Sequence, residues 1–327
     1  MTTRGAGARS KTVPGTHHRS ILIRVSPQLL QKVCETYGAY FSPLSGLPAE
    51  KLSADVLSEE KVHDQVRLFC KTVGRSESSL QGCRLLEVGS GFGIFVAVTR
   101  TQYGADAVGL EPAGTGFDTS FEVCREVLKE YGLDPELIVD AKGENIPFPD
   151  NSFDLVFSST VLEHTDDPWR VLDEAIRVLR PGGYLQFVFP NYGSFFEGHY
   201  AVPWIPYLNK SVARMYLRLW RRDPSFIDTI QFLNFFKVRR WASKRRDIRI
   251  ITYGADIFRE SMLNLQIKNW AGLGKIKRWM EFANRLKLLR PVTAVLLAGG
   301  AFEPIILTLQ KLPKAGENSA FASTLAT

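Results

Sequence analysis

Short apolar runs alternate with longer amphipathic stretches between residues 59 and 190, and this alternation predicts strands and helices in turn. Glu59 to Val73 sets Val62, Val66, Phe69 and Val73 on one helical face, with Ser58 as a cap and Gly74 as a stop. Arg84 to Val88 reads as a buried strand, Ala105 to Leu110 as a second, and Leu137 to Asp140 as a short third. Phe153 to Ser158 is a fourth and Tyr184 to Phe189 a fifth. Between them the pattern predicts a helix after the first strand and another near Ser120 to Tyr131, closed by Gly132. A third helix opens at Asp167-Pro168, an acidic cap followed by proline at the first helical position. It carries Val171, Leu172, Ala175, Ile176 and Leu179 on one face and is expected to stop at Pro181-Gly182-Gly183. The alternation as a whole predicts an α/β fold with a parallel sheet covered on both faces.

The most informative punctuation lies at the end of the first strand. Glu87-Val88-Gly89-Ser90-Gly91-Phe92-Gly93 is a strand breaking into a turn of alternate glycines, where a ligand can meet bare backbone. Glu111 ends the second strand, where open α/β sheets place an acid to accept two ribose hydroxyls. An adenosine-bearing ligand follows. A dinucleotide site favours G-x-G-x-x-G with a helix N-terminus aimed at pyrophosphate, whereas this turn is Gly89-x-Gly91-x-Gly93. Glu87 would repel phosphate, and its carboxylate suits a cationic ligand such as a sulfonium or an ammonium.

At these residues the chain resembles the class I S-adenosylmethionine-dependent methyltransferases, in the branch that includes quinone-ring and small-molecule methylases. The resemblance covers roughly residues 80 to 191. Beyond the glycine turn and Glu111 it recurs in the segment from Glu144-Asn145-Ile146-Pro147-Phe148 to Phe153-Asp154, in Val161-Leu162-Glu163-His164, and in Arg177-Val178-Leu179-Arg180-Pro181-Gly182-Gly183. It implies a Rossmann-like doubly wound sheet, mostly parallel with an antiparallel last strand, plus a mainly helical C-terminal insert. Asp247 to Thr252 and Glu303 to Gln310 are the candidates for the last two strands, with a helical excursion from about 254 to 300 between them.

The resemblance also implies S-adenosyl-L-methionine as cofactor, with S-adenosylhomocysteine as product. Its expected contacts are Glu87, Gly89, Ser90, Gly91, Phe92, Gly93, Glu111, Gly143, Glu144 and Ser158. Ser158, Ser159 and Thr160 resemble positions bordering the methionine part, and satisfying loop backbone is their alternative role. One position departs from the family. Where many relatives carry an Asp that contacts the adenine amino group, this chain has Lys142, leaving backbone groups, Gly143 or Asp140 to hold the base.

Methyl transfer is an in-line displacement, so the protein's main work is to align nucleophile and sulfonium in a dry site. A hydroxyl acceptor benefits from a base projecting from the carboxyl ends of the strands. His164, after the fourth strand, and His199, within Phe196-Glu197-Gly198-His199-Tyr200, are the candidate catalytic residues. The Leu-Glu-His of His164 recurs in family members of differing chemistry, which argues for a shared structural or cofactor-side role there. His199 opens the part of the chain expected to face substrate.

Composition narrows the partners. The 327 residues are 45% hydrophobic and carry a formal charge of +7, enough for one full α/β domain and an appended region. Cys34, Cys70, Cys83 and Cys124 are scattered with no C-x-x-C pair, so neither a disulfide framework nor a zinc site is indicated and no metal is expected. No apolar run is long enough to span a bilayer, and a cytoplasmic chain is expected. The expected domains are a basic disordered tail over 1–20, a helical segment over 21–80 and the cofactor-binding core over 81–191. A basic, mainly helical substrate or lid region over 192–302, a final strand over 303–312 and a disordered tail over 313–327 complete the chain.

Much of the positive charge falls in the C-terminal half. Val212, Met215, Tyr216, Leu219 and Trp220 recur at helical spacing with Arg214, Arg218, Arg221 and Arg222 opposite. Further basic clusters run from Lys237 to Arg246 and from Lys275 to Trp279. A solvated lid, a peripheral contact with an anionic membrane or phosphate-bearing lipid, and a nucleic-acid surface all fit such faces. The nucleic-acid reading is disfavoured because Ser158-Ser159-Thr160-Val161 stands where base-amino methylases keep an Asn/Asp-Pro-Pro-aromatic segment, and no Pro-Cys nucleophile occurs. The reading reached is a methyltransferase acting on a hydroxyl of a small molecule, sugar or lipid-linked glycan. An RNA or other nucleic-acid methyltransferase, a nicotinamide-dependent oxidoreductase, and a non-catalytic membrane- or partner-binding module on a methylase-like core are its rivals.

Overall fold

The computed structural model describes residues 24–114, 120–265 and 274–313. Helices α1 (Pro27–Val33), α2 (Ala39–Ser45), α3 (Ala49–Val56) and α4 (Glu59–Val73) precede β1 (Arg84–Val88) and α5 (Ile94–Tyr103). Next come β2 (Asp106–Leu110), α6 (Ser120–Glu130), β3 (Ile138–Val139), β4 (Phe153–Ser159), α7 (Pro168–Val178) and β5 (Leu179–Phe189). The short strands β6 (Phe196–Glu197) and β7 (Val202–Pro203) lead to α8 (Lys210–Leu219), α9 (Phe235–Ala242) and β8 (Ile248–Thr252). Helices α10 (Ala255–Leu263), α11 (Gly274–Arg285) and α12 (Leu289–Ala298) separate β8 from β9 (Ile305–Lys311).

The main sheet has the strand order β3-β2-β1-β4-β5-β9-β8. β1 and β4, β2 and β3, and β4 and β5 pair in parallel, whereas β9 runs antiparallel to both β5 and β8. This is the doubly wound, mostly parallel sheet with an antiparallel last strand, and the helical stretch between β8 and β9 lies where the sequence placed it. The expectations for residues 1–20 and 314–327, and for the side chains of Lys275 to Trp279, fall outside the described residues.

The chain divides into two compact units, one running to Cys83 and including Gly89–Ala141, the other made of Arg84–Val88 and everything from Lys142. In the first, Ser58 Oγ accepts from the Lys61 N–H and Gly74 closes α4 at φ +68°, so both sequence signals for that helix act as read. Val96, Ala97 and Val98 of α5 are fully buried, as are Val123, Cys124, Val127 and Leu128 of α6. In the second unit the core follows the register of the strands. Leu86 sits opposite Val156 and Phe187 opposite Leu307, all without exposed surface, and Gln186 Nε2 donates to Thr308 Oγ1 inside the sheet at 3.0 Å.

Two expectations about the second unit change. Helix α7 ends at Val178, not at Pro181-Gly182-Gly183, and β5 already begins at Leu179. Proline at 181 disfavours helical backbone at Arg180, and the helix's last carbonyls are taken by other partners. Arg177 O accepts from the Asn151 N–H and Lys311 Nζ, and Val178 O from the Ser152 N–H. Helix α8 is amphipathic in another sense than its pattern suggests. It packs on the core through Ala213 and Leu217, while Val212, Met215, Leu219 and Trp220 are exposed.

Candidate functional site

Within the first unit the glycine turn and the end of β2 are joined directly. Gly89, Gly91 and Gly93 have φ of +74°, +52° and +73°, a region where a Cβ crowds the backbone. The turn is closed by the Gly93 N–H donating to Ser90 O and tied to β2 by the Ser90 N–H donating to Leu110 O, both at 2.8 Å. The Gly91 N–H then donates to Glu111 Oε2 at 2.8 Å, and Ser120 Oγ donates to Glu111 Oε1 at 2.7 Å. Burial raises the Glu111 carboxyl above its usual range, and these two bonds pull part of the way back. A carboxylate offers about four lone-pair positions, so capacity remains for the two hydroxyls of a ribose.

The three glycines serve different ends. A Cβ at Gly91 meets nothing within 4 Å, so the backbone there fronts open space. At Gly93 it would lie 2.6 Å from Cys124 Sγ and 2.8 Å from Leu128 Cδ1, so that glycine lets α5 and α6 pack. Approach of a ligand is therefore not what fixes glycine at 93. Gly109 carries a signal missed in the sequence: a Cβ there would fall 2.1 Å from Ser90 Oγ, so its bareness seats the turn. Phe92 is buried and meets Tyr37 edge-on at 5.4 Å, holding the N-terminal helices. Asp140 Oδ1 accepts from the Ala113 N–H at 2.8 Å.

In the second unit, Glu87 is buried at the end of β1, and Ser158 Oγ donates to Val88 O at 2.8 Å, joining β4 to the last residue before the glycine turn. A Cβ at Gly143 would lie 3.0 Å from Val88 Cγ1 and from Val171 Cγ1, so these methyl groups would have to give way to a side chain there. Glu144 Oε1 accepts from the Asp166 and Asp167 N–H groups, steadying the start of α7. Lys142 Nζ pairs with Asp166 at 3.0 Å.

The same unit brings His164 and His199 together. The chain leaves β4 through Thr160, at φ +56°, into a single turn over Leu162–His164. His199 stands in the loop joining β6 and β7. Their Nε2 atoms lie 3.3 Å apart with the rings nearly perpendicular. His199 Nδ1 is 2.7 Å from Glu197 Oε1, and Glu197 also accepts from Tyr192 OH at 3.2 Å and the Tyr200 N–H at 2.7 Å. Phe226 packs against both imidazoles.

Beneath them lies Glu163, whose side chain has no exposed surface and whose two oxygens find no hydrogen-bond partner. Burial pushes its carboxyl up to about 7, with the His199 ring opposing. Burial, and then the neighbouring His199, hold His164 well below the usual histidine range, so its ring is neutral. For His199 burial works against the charge, but the Glu197 carboxylate outweighs it and the pKa is raised. Glu163 sits beside both histidines and Glu197 beside His199, whereas the sequence pattern marks only the histidines. Glu197 was legible as the alternate neighbour of His199, whereas nothing local marks Glu163 as facing it.

These elements agree with the relatives of the chain. Residues 86–187 match the family model described as "Methyltransferase domain". An uncharacterized methyltransferase of Mycobacterium sp. (strain KMS) is 36% identical over 124 residues, 38% of this chain and 45% of that protein. The phthiotriol/phenolphthiotriol dimycocerosates methyltransferase 1 of Mycobacterium ulcerans is 35% identical over 132 residues, 40% of this chain and 45% of that one. The chain thus spans about half the length of the curated relatives it matches. Among solved structures, Haemonchus contortus phosphoethanolamine N-methyltransferase 2 in complex with S-adenosyl-L-methionine is similar with a TM-score of 0.45. Identity there is 18%, over 76% of this chain and 53% of that one. With the glycine turn, Glu111 and the strand order all lying in or around the matched span, residues 86–187 belong to the class I S-adenosylmethionine-dependent methyltransferase domains.

Proposed function

We propose that the chain transfers the methyl group of S-adenosylmethionine to a hydroxyl of a small molecule, sugar or lipid-linked glycan, with His199 binding or deprotonating that hydroxyl. The observation that carries the acceptor reading is the 2.7 Å contact between His199 Nδ1 and the buried Glu197. A carboxylate so placed keeps the hydrogen on Nδ1 and leaves Nε2 to take a proton. The acceptor oxygen attacks the methyl carbon, the C–O bond forms as the C–S bond breaks, and the sulfonium leaves as a neutral thioether. The hydroxyl proton passes to His199 Nε2. On the cofactor side, Glu111 holds the ribose, and the Gly89-Ser90-Gly91-Phe92-Gly93 turn bonded to it shapes the surface the cofactor lies against.

A lipid-linked acceptor is favoured by α8. Its outward ridge of Val212, Met215 and Leu219 is flanked by the exposed Arg218, with Trp220 and Arg221 at its end. Apolar residues beside cations suit an anionic lipid surface. One relative is itself named a dimycocerosates methyltransferase. No helix among the described residues is long and apolar enough to cross a membrane. The test is incubation with labelled S-adenosylmethionine and candidate polyols, sugars and glycolipids. The product expected is a methyl ether, and a methylated nitrogen or carbon would overturn the acceptor assignment.

A further inference from the structure

We propose that Glu163, His164 and His199 form a binding site for one divalent transition-metal ion, zinc or a zinc-like first-row ion, with Glu197 orienting His199 from behind. One donor atom from each of the three residues lies within 4.8 Å of the other two. Two imidazoles and one carboxylate are a donor set that suits such ions and not magnesium or calcium, which prefer all-oxygen surroundings.

Three features point to a cation and not merely to a polar cluster. The first is the 3.3 Å separation of the two Nε2 atoms. Metal–nitrogen bonds near 2.0–2.1 Å at tetrahedral angles place two imidazole nitrogens about 3.3–3.4 Å apart. The second is Glu163. Both its oxygens are buried without a hydrogen-bond partner, and Oε1 lies 3.9 Å from His164 Nε2. A carboxylate left this way is costly unless a cation compensates it. The third is the contact of His199 Nδ1 with Glu197 at 2.7 Å. It is the carboxylate–imidazole arrangement that fixes the ring of a metal-binding histidine with its far nitrogen aimed at the ion. The 3.9 Å edge between Glu163 Oε1 and His164 Nε2 has to close by about half an ångström when the ion enters.

The sequence concealed this site. His164 and His199 are on separate segments and neither belongs to a recurring ligand spacing, and the expectation of no metal rests on the scattered cysteines alone. Three protein donors leave a position open for a ligand oxygen. Where the acceptor is the hydroxyl proposed above, its oxygen would fill that position, and the ion would lower that hydroxyl's pKa so that its proton leaves to solvent water. His199 Nε2 takes the proton in the ion-free protein and is a ligand in the ion-bound one, so the two forms deprotonate the acceptor by different routes. Only this role rests on the acceptor reading; ion binding does not.

The experiment uses the full chain with His17 and His18 replaced by alanine, so that the N-terminal pair cannot bind metal. Metal-stripped protein is titrated with Zn2+ by calorimetry and with Co2+ by visible absorption. One equivalent of Zn2+ is expected to bind and to raise the unfolding temperature, and Co2+ is expected to give the bands of a low-coordinate nitrogen–oxygen site. His199→Ala and Glu163→Gln should lose the stoichiometric site. Glu197→Gln, which keeps all three donors, should weaken it by about 10–100-fold. Absence of stoichiometric binding by the parent, or equal binding by a folded His199→Ala chain, would overturn the proposal and leave a proton shared between the rings. Should a variant not fold, the parent's Co2+ spectrum decides alone. Binding of S-adenosylhomocysteine by the metal-stripped parent is measured in parallel, so failure of the metal site and failure of the methyltransferase reading are told apart.

Discussion

The backbone N–H of Gly91 donates to Oε2 of Glu111 at 2.8 Å, so the turn that follows β1 and the acid that ends β2 meet directly. Two positions chosen from the sequence on separate grounds, one for its bare backbone and one for its charge, are hydrogen-bonded partners. The carboxylate is thereby oriented before any ligand arrives, and orientation paid in advance by the fold is not subtracted from binding.

Gly91 and Gly93 should respond differently to alanine. Gly93→Ala places a Cβ 2.6 Å from Cys124 Sγ at φ +73°, and a loss of about 1–3 kcal/mol in unfolding free energy is expected from overpacking. Gly91→Ala meets no atom within 4 Å, so its stability loss should be confined to about 1–2 kcal/mol of backbone strain at φ +52°. It should nevertheless weaken S-adenosylhomocysteine by narrowing the space in front of the turn. Denaturant unfolding and calorimetry check the pair; full cofactor affinity in Gly91→Ala would show that the ligand lies elsewhere.

The raised Glu111 pKa makes the site a cost to the empty protein. A carboxyl raised above its ordinary 4.5 on folding favours the fold fully below 4.5, and that benefit is lost as pH rises through the raised value. Above that raised value the group is ionised and opposes folding. Glu111→Gln should therefore melt higher than the parent at pH above the raised value, and the difference should shrink as pH falls towards and below 4.5, where the carboxyl is neutral too. Melting curves against pH measure this directly, and an unchanged difference across the range would contradict it.

Replacing His199 by alanine is expected to lower turnover by about 10²–10⁴-fold, the usual span for losing a positioned acid–base group. Affinity for S-adenosylhomocysteine should stay as it is. Full turnover on the true acceptor would remove His199 from the reaction.

The outward ridge of α8 is tested with vesicles. Met215→Glu and Leu219→Glu should abolish sedimentation with anionic vesicles, and removing Arg218 should cost about 1 kcal/mol of that binding. Neutral vesicles should retain less of the parent, and raised salt should release it. Equal partition of parent and ridge variants would leave α8 as a solvated helix.

What the sequence discloses about this protein is what local chemistry decides. The limits of α4 follow from the Ser58 cap and Gly74, and β1 coincides with the run from Arg84 to Val88, because a cap, a stop and an apolar run need no distant partner. Where a neighbour decides, reading falters. The apolar positions of α8 look like a core face, but Ala213 and Leu217, smaller or less conspicuous, are what the rest of the unit covers. The end of α7 was misplaced because Asn151, Ser152 and Lys311 claim its carbonyls from elsewhere in the chain. At the site, Glu111 announces itself by its place after a strand. The meeting of His164 with His199 over Glu163 is a tertiary event that no spacing records.

The most direct measurement is calorimetric titration of S-adenosylhomocysteine into the parent chain and into Glu111→Ala. If the carboxylate that receives the Gly91 N–H also holds the ribose, the parent binds one equivalent and the variant loses about 1.5–3 kcal/mol, the worth of hydrogen bonds to a charged group. Equal affinity in the two proteins would contradict the placement of the cofactor on this turn.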